Sequence, residues 1–197
     1  MIESLLQYQT FSQMFFHIIE KIRILKLYIS ETVSQTIKKE VSFMSVMNTY
    51  SGRKFDPMKI ASEDVYLEDI AHALSLVCRG GGQIRWFYSV GQHSINCAHE
   101  ALARGWSDRM ALACLLHDAS ECYISDVIRP VKVHLQNYLE IESMIMDAIW
   151  EKFHLDDLTD EENQKWKQID NEILELELKT LMKGEKRQGD HPPVFYS

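Results

Sequence analysis

The run Met110-Ala111-Leu112-Ala113-Cys114-Leu115-Leu116 is apolar and delivers the chain straight into His117-Asp118-Ala119-Ser120-Glu121. A run of this kind heads into a core. Any fold the chain adopts must therefore carry a histidine and carboxylates inward. Burying such groups costs several kcal/mol unless they are paired or hold a cation. If the helix continues, Asp118 and Glu121 stand three residues apart on one face and can serve one site. Compensating groups are then expected elsewhere, at helical positions that face the same place.

Two such positions exist. Asp170 shares a helix face with Trp166 and Ile173, the apolar side, where a carboxylate needs a partner. His93 shares a face with Val90, Cys97 and Glu100. The competing accounts are a buried ion pair or cap for Asp170 and a satisfied core histidine for His93. Taken with His117 and Asp118, they form a mixed nitrogen and oxygen donor set suited to one divalent first-row metal or Mg²⁺. Four protein ligands would leave room for water and a phosphate oxygen, which is what metal-assisted hydrolysis requires.

The pattern of the chain is helical. Leu67, Ile70, Leu74 and Val77 recur at helix spacing, and Gly80-Gly81-Gly82 stops that helix. Ser89 with Gln92, and Thr159 with Glu162, are capping boxes that open further helices. A helix is predicted from Ser107, a long one from about Val133 to Phe153, and a last one ending at Lys183-Gly184. No β-hairpin signal appears, and the expected class is all-α. Residues 1–43 read as an extension of uncertain role, 44–184 as the catalytic domain and 185–197 as a tail. Near the N-terminus, Lys21, Arg23 and Lys26 interrupt the apolar residues, so no membrane span is expected. The net charge of −8 argues against a nucleic-acid polymer as partner. Cys78, Cys97, Cys114 and Cys122 form no C-x-x-C pair and read as reduced core residues of a cytoplasmic protein.

His93, then His117-Asp118, then a lone Asp170 in a late helix resembles the ligand order of HD-domain phosphohydrolases. The stretch His117-Asp118-Ala119-Ser120-Glu121, Ser125-Asp126 and Pro130-Val131-Lys132 is similar to the bacterial 5′-deoxynucleotidase branch. Arg85 and Tyr88-Ser89-Val90-Gly91-Gln92-His93-Ser94 resemble a motif of bacterial and phage relatives. Gly91 stands where that motif has alanine, and Gln83-Ile84 where relatives often carry His-Thr. The resemblance covers roughly residues 50–182. It implies a single HD-type helical bundle, and His93, His117, Asp118 and Asp170 as ligands of one Mn, Co, Zn or Mg ion. Glu121 would position or deprotonate the attacking water. Asp126 would read the sugar 3′-hydroxyl, Arg85 would hold phosphate, and Trp86 would pack on base or sugar. It further implies a homo-oligomer in a bacterial cell, possibly phage-encoded.

The expected reaction is hydrolysis of deoxynucleoside monophosphates. The alternatives are a dATP-type triphosphohydrolase and a non-catalytic helical module. A triphosphate would need further cations, for which Arg53, Lys54, Arg79, Arg129 and Lys132 are candidates.

Overall fold

A computed structural model of the chain describes residues 45–183. The expected extension over 1–43 and the tail over 185–197 lie outside these residues. Within them the chain is all-α apart from one small hairpin. In order, the elements are β1 (Met47–Asn48), β2 (Lys54–Phe55), α1 (Leu67–Leu76), α2 (Val90–Ala103), α3 (Asp108–Leu116), α4 (Glu121–Ile124), α5 (Arg129–Lys132), α6 (Gln136–Lys152) and α7 (Asp160–Leu181). No described helix is long and apolar enough to cross a membrane.

The hairpin departs from expectation. Met47 pairs with Phe55 and Asn48 with Lys54, antiparallel. Two-residue strands have no alternation to read. Their support comes from α1, where the Asp69 carboxylate accepts Ser51 N–H at 2.7 Å and Ser51 Oγ–H at 2.9 Å.

Both capping boxes are present. Ser89 Oγ accepts from Gln92 N while Gln92 Oε1 accepts from Ser89 N. Thr159 and Glu162 repeat the exchange at the start of α7. Such caps satisfy amide groups that a helix start leaves without partners.

Three helix limits differ from the pattern. α1 stops at Leu76, short of the glycines, because Val77 turns extended and Cys78 bridges Ser89. The long helix predicted from Val133 is α6, which starts only at Gln136, and α5 is a separate short turn before it. The last helix ends at Leu181.

Two apolar clusters hold the helices. One joins Val65, Ile70, Leu74, Val90, Leu116, Ile145, Ile149 and Leu155. The other, formed by Cys97, Ala101, Ala111, Cys114, Ile169 and Ile173, is sealed between α2, α3 and α7. Gly91 brings α2 close to the end of α1: a Cβ there would stand 3.2 Å from the Leu74 carbonyl. An alanine at this position would push the two elements apart by a few tenths of an ångström.

Candidate metal centre

His93 lies on the buried face of α2 and is 0% exposed, as the amphipathic spacing requires. His117 caps the C-terminus of α3. Asp170 comes from the middle of α7. Asp118 follows His117 in a tight turn, so α3 does not continue through Glu121. The Glu121 amide donates to the Asp118 carbonyl at 3.1 Å, and Glu121 opens α4.

The four sequence-predicted ligands converge. His93 Nε2 and His117 Nε2 are 3.3 Å apart. Asp170 Oδ1 is 3.2 Å from His93 Nε2 and 3.6 Å from His117 Nε2. Asp118 Oδ2 is 3.7 Å and 3.3 Å from the same two nitrogens.

The tautomers follow from the outer contacts. His93 Nδ1 lies 2.7 Å from Glu177 Oε1, and His117 Nδ1 lies 2.8 Å from the Cys114 carbonyl. A carboxylate and a carbonyl only accept, so both Nδ1 atoms carry hydrogen and, in the neutral rings, both Nε2 lone pairs face the cluster. Two lone pairs and two carboxylate oxygens at such separations repel one another unless positive charge lies among them, whether a proton on His117, the Arg79 guanidinium or a metal ion. Metal bonds of ~2.0–2.2 Å set neighbouring donors about 3.0–3.5 Å apart, close to the spacing here. The residues present therefore fit a divalent ion.

Glu177 was not foreseen. Its Oε1 accepts from Tyr88 O–H at 2.8 Å as well as from His93, and Asn96 Nδ2 donates to the Tyr88 oxygen at 2.8 Å. A carboxylate behind a ligating histidine holds the ring and raises its basicity. The signal was available, because Asp170, Ile173, Glu177 and Leu181 share one face of α7. Cys97, read as a core residue, also reaches the cluster, with Sγ 3.6 Å from His93 Nε2. His93, Cys97 and His117 together form a group able to hold a metal. Burial first, then Asp170 and Glu177, push the Cys97 thiol well up.

Arg79, nominated only as an extra cation, enters the site. Its Nη1 donates to Asp118 Oδ2 at 2.9 Å, its Nη2 to His93 Nε2 at 3.1 Å, and its Nε is 3.6 Å from Glu177. Burial acts to lower its pKa, but Asp118 and Glu177 outweigh this and hold it firmly charged. Gly80 and Gly81, at φ 62° and 60°, turn the chain away directly after Arg79, a conformation that suits glycine. Asp126 Oδ2 accepts the Gly80 N–H at 2.9 Å and so fastens this turn.

Arg85 is placed differently. Its N–H donates to the Leu181 carbonyl and its Nη2 to the Met182 carbonyl, closing the C-terminus of α7. Trp86 is 56% exposed, beside Arg85.

The charges are strongly coupled. Burial disfavours the ionised forms of Asp118 and Asp170, yet His117, with Arg79 beside Asp118 and His93 beside both, holds them well below the usual carboxylate range. Burial likewise opposes charge on His117, but Asp118 and Asp170 push it up to about 10. Glu121 moves the other way. Burial, then Asp118 and Asp126, raise it to about 9 against Arg79 and Lys132. It is 3% exposed, and its Oε2 has no hydrogen-bond partner among the described residues.

Comparison with known proteins gives partial matches. No family model matches the chain. The uncharacterized protein YfdR of Escherichia coli strain K12 is 38% identical over 112 residues, 57% of this chain and 60% of that protein. An uncharacterized protein of Rhodobacter capsulatus is 39% identical over 111 residues, 53% of this chain and 56% of the relative. The matched part thus spans less than two thirds of either relative. Among solved structures, the cyanophage S-2L HD phosphohydrolase DatZ, bound to dA and one catalytic Zn²⁺ ion, aligns with a TM-score of 0.48 and 22% identity. That alignment covers 61% of this chain and 75% of that one.

Proposed function

We propose that the chain is a divalent-metal-dependent phosphohydrolase of the HD type, acting as a 5′-deoxynucleotidase on deoxynucleoside monophosphates. The observation that carries this reading is the donor set itself: inward Nε2 atoms of His93 and His117 facing Asp118 and Asp170, with the buried Glu121 carboxyl close by in sequence and partnerless at Oε2. When bound, a divalent ion polarises a phosphoryl oxygen and lowers the pKa of a nearby water.

The chain's own residues do the rest. His93, His117, Asp118 and Asp170 hold the ion. Glu121 orients the attacking water and accepts its proton. The Asp118 field helps keep Glu121 protonated, and positive charge held at Asp118 opposes that field. Arg79 donates to Asp118 and His93, and when those side chains hold the ion its planar donors are released to take a phosphate. Asp126 keeps one oxygen on Gly80 N–H and offers the other to the sugar 3′-hydroxyl.

Three of the cations that a triphosphate would need are engaged. Arg53 lies 3.4 Å over the Tyr66 ring, Arg129 contacts Asp170 and Asn171, and Lys132 pairs with Glu142. This favours the monophosphate. Deoxynucleoside mono-, di- and triphosphates incubated with Mn²⁺, Co²⁺, Zn²⁺ or Mg²⁺, with products separated by chromatography, test the reading. Release of phosphate and nucleoside from monophosphates is expected. Release of tripolyphosphate would assign the triphosphohydrolase reaction instead, and no turnover of any nucleotide would reject the reading.

Metal binding is expected to depend on pH through His117. Its pKa is raised to about 10, so in metal-stripped protein it keeps its proton at neutral pH. A ligating imidazole is neutral, so binding displaces that proton. Affinity should therefore rise by about tenfold per pH unit as pH approaches 10. Calorimetry in buffers of different ionisation heat should register about one proton released per ion. An affinity flat from pH ~6 to ~9 would exclude a protonated His117.

A further inference from the structure

We infer that Arg129 is a positioning residue that holds Asp170 in its inward-facing orientation. The inference rests on the reading of Asp170 as a metal ligand.

The two oxygens of Asp170 face different ways. Oδ1 looks into the cluster, 3.2 Å from His93 Nε2 and 3.6 Å from His117 Nε2. Oδ2 looks outward and lies 3.3 Å from Arg129 Nη2. The same guanidinium donates from Nη1 to Asn171 Oδ1 at 3.0 Å. Arg129 thus grips two consecutive side chains of α7 through a rigid fork, which a point-charge lysine cannot imitate. The Asn171 amide is itself oriented, because its Nδ2 donates to the Lys167 carbonyl at 2.8 Å and leaves Oδ1 for Arg129.

The anchor of Arg129 is firm although its side chain is 59% exposed. It opens α5, and Pro130 follows with its backbone φ fixed by the ring. The amides of Val131 and Lys132 both donate to the Ile128 carbonyl. Upstream, Ser125 sits at φ 66°, ψ 161°, a strained conformation for a residue with a side chain, and Tyr138 O–H donates to its carbonyl at 2.8 Å. This fastened turn runs from Glu121 through Asp126 to Arg129, so one segment sets the water-activating carboxyl and the outer hold on Asp170.

Without Arg129 the Asp170 carboxylate would be free to rotate. A competitor for its inner oxygen already stands 3.8 Å away, in Arg79 Nη2. Lys132 is paired with Glu142 and does not replace the lost contact. An ion pair this exposed adds little to stability. The effect of losing it belongs at the metal.

Titration of metal-stripped protein with Mn²⁺ and Zn²⁺, read by calorimetry, tests this. Arg129→Gln should weaken metal affinity by about 10–100-fold, the usual effect of losing a group that orients a ligand. Melting temperature without metal, helical circular dichroism and KM for the nucleotide should stay as in wild type, and excess metal should restore turnover. Arg129→Lys should recover part of the affinity, and Asn171→Ala should lose less than Arg129→Gln. Wild-type metal affinity in Arg129→Gln would overturn the inference, as would a raised KM with unchanged metal affinity, which would make the arginine a substrate contact. A fall in melting temperature alongside the metal loss would also overturn it. Asp170→Ala separates the two levels: if that protein bound metal as wild type does, the ligand reading itself would fail, whatever Arg129 does.

Discussion

Glu121→Gln is expected to bind metal like wild type and to lose on the order of 10²–10⁴-fold in turnover, the usual worth of general acid–base catalysis. Glutamine keeps the size of the side chain and removes the ability to take a proton. The site gives no sign of a substitute. Asp118 and Asp170 are held ionised by His117, with Arg79 beside Asp118, and in the proposed centre they face the ion. Asp126 has one oxygen on the Gly80 amide. The loss corresponds to roughly 3–5 kcal/mol of barrier.

Structure should not suffer. Wild-type Glu121 is buried, has an oxygen without a partner among the described residues, and has its pKa raised to about 9. A neutral amide there relieves the burial of an ionisable group. The sign follows from linkage: a carboxyl raised from 4.5 to about 9 stays protonated in the folded protein while the unfolded chain ionises. Metal-stripped wild type should therefore lose stability relative to Glu121→Gln as pH rises through that window. Single-turnover kinetics beside metal titration check the first claim. Wild-type turnover in Glu121→Gln would place the base elsewhere.

Asp170→Ala should lose bound metal and fall to background turnover while its helical content stays near wild type. Asp170 contributes one of two carboxylate oxygens to a set whose histidines are already fixed by Glu177 and by the Cys114 carbonyl. Removing a donor should weaken binding by more than the roughly 10–100-fold that follows loss of a supporting group. It should also let the His117 pKa drop from about 10, because Asp170 is among the charges that raise it.

The parallel change at Asp118 is a harsher one. Arg79 Nη1 is 2.9 Å from Asp118 Oδ2 and is 13% exposed, so Asp118→Ala leaves a mostly buried guanidinium short of a partner. Breaking a buried pair by removing one member costs about 3 kcal/mol or more. Asp170→Ala is thus the cleaner test, with elemental analysis of the purified protein as its readout. Stoichiometric metal in Asp170→Ala would remove the assignment.

Local rules written along the chain determined much of this protein. The helical class, both capping boxes and the inward faces of α2 and α7 follow from short-range periodicity, and the cost of burying titratable groups without compensation marks His93, His117, Asp118 and Asp170 as one candidate donor set. Several features do not follow from that level. The hairpin at Met47–Phe55 depends on Asp69, a carboxylate from a different element. The early end of α1 depends on Cys78 finding Ser89 across the loop. Glu177 behind His93, Arg79 against Asp118 and Arg129 on Asp170 join residues from separate elements. Arg79 and Arg85 show the difference most plainly. Both are arginines near the same loop, and a motif favoured Arg85, yet the Gly80–Gly81 turn holds Arg79 among the ligands while Arg85 closes α7. Sequence determined which groups must be buried and compensated. Tertiary structure alone decided which partner compensates each, because a hydrogen bond or ion pair is made by whichever group the packing brings within about 3 Å.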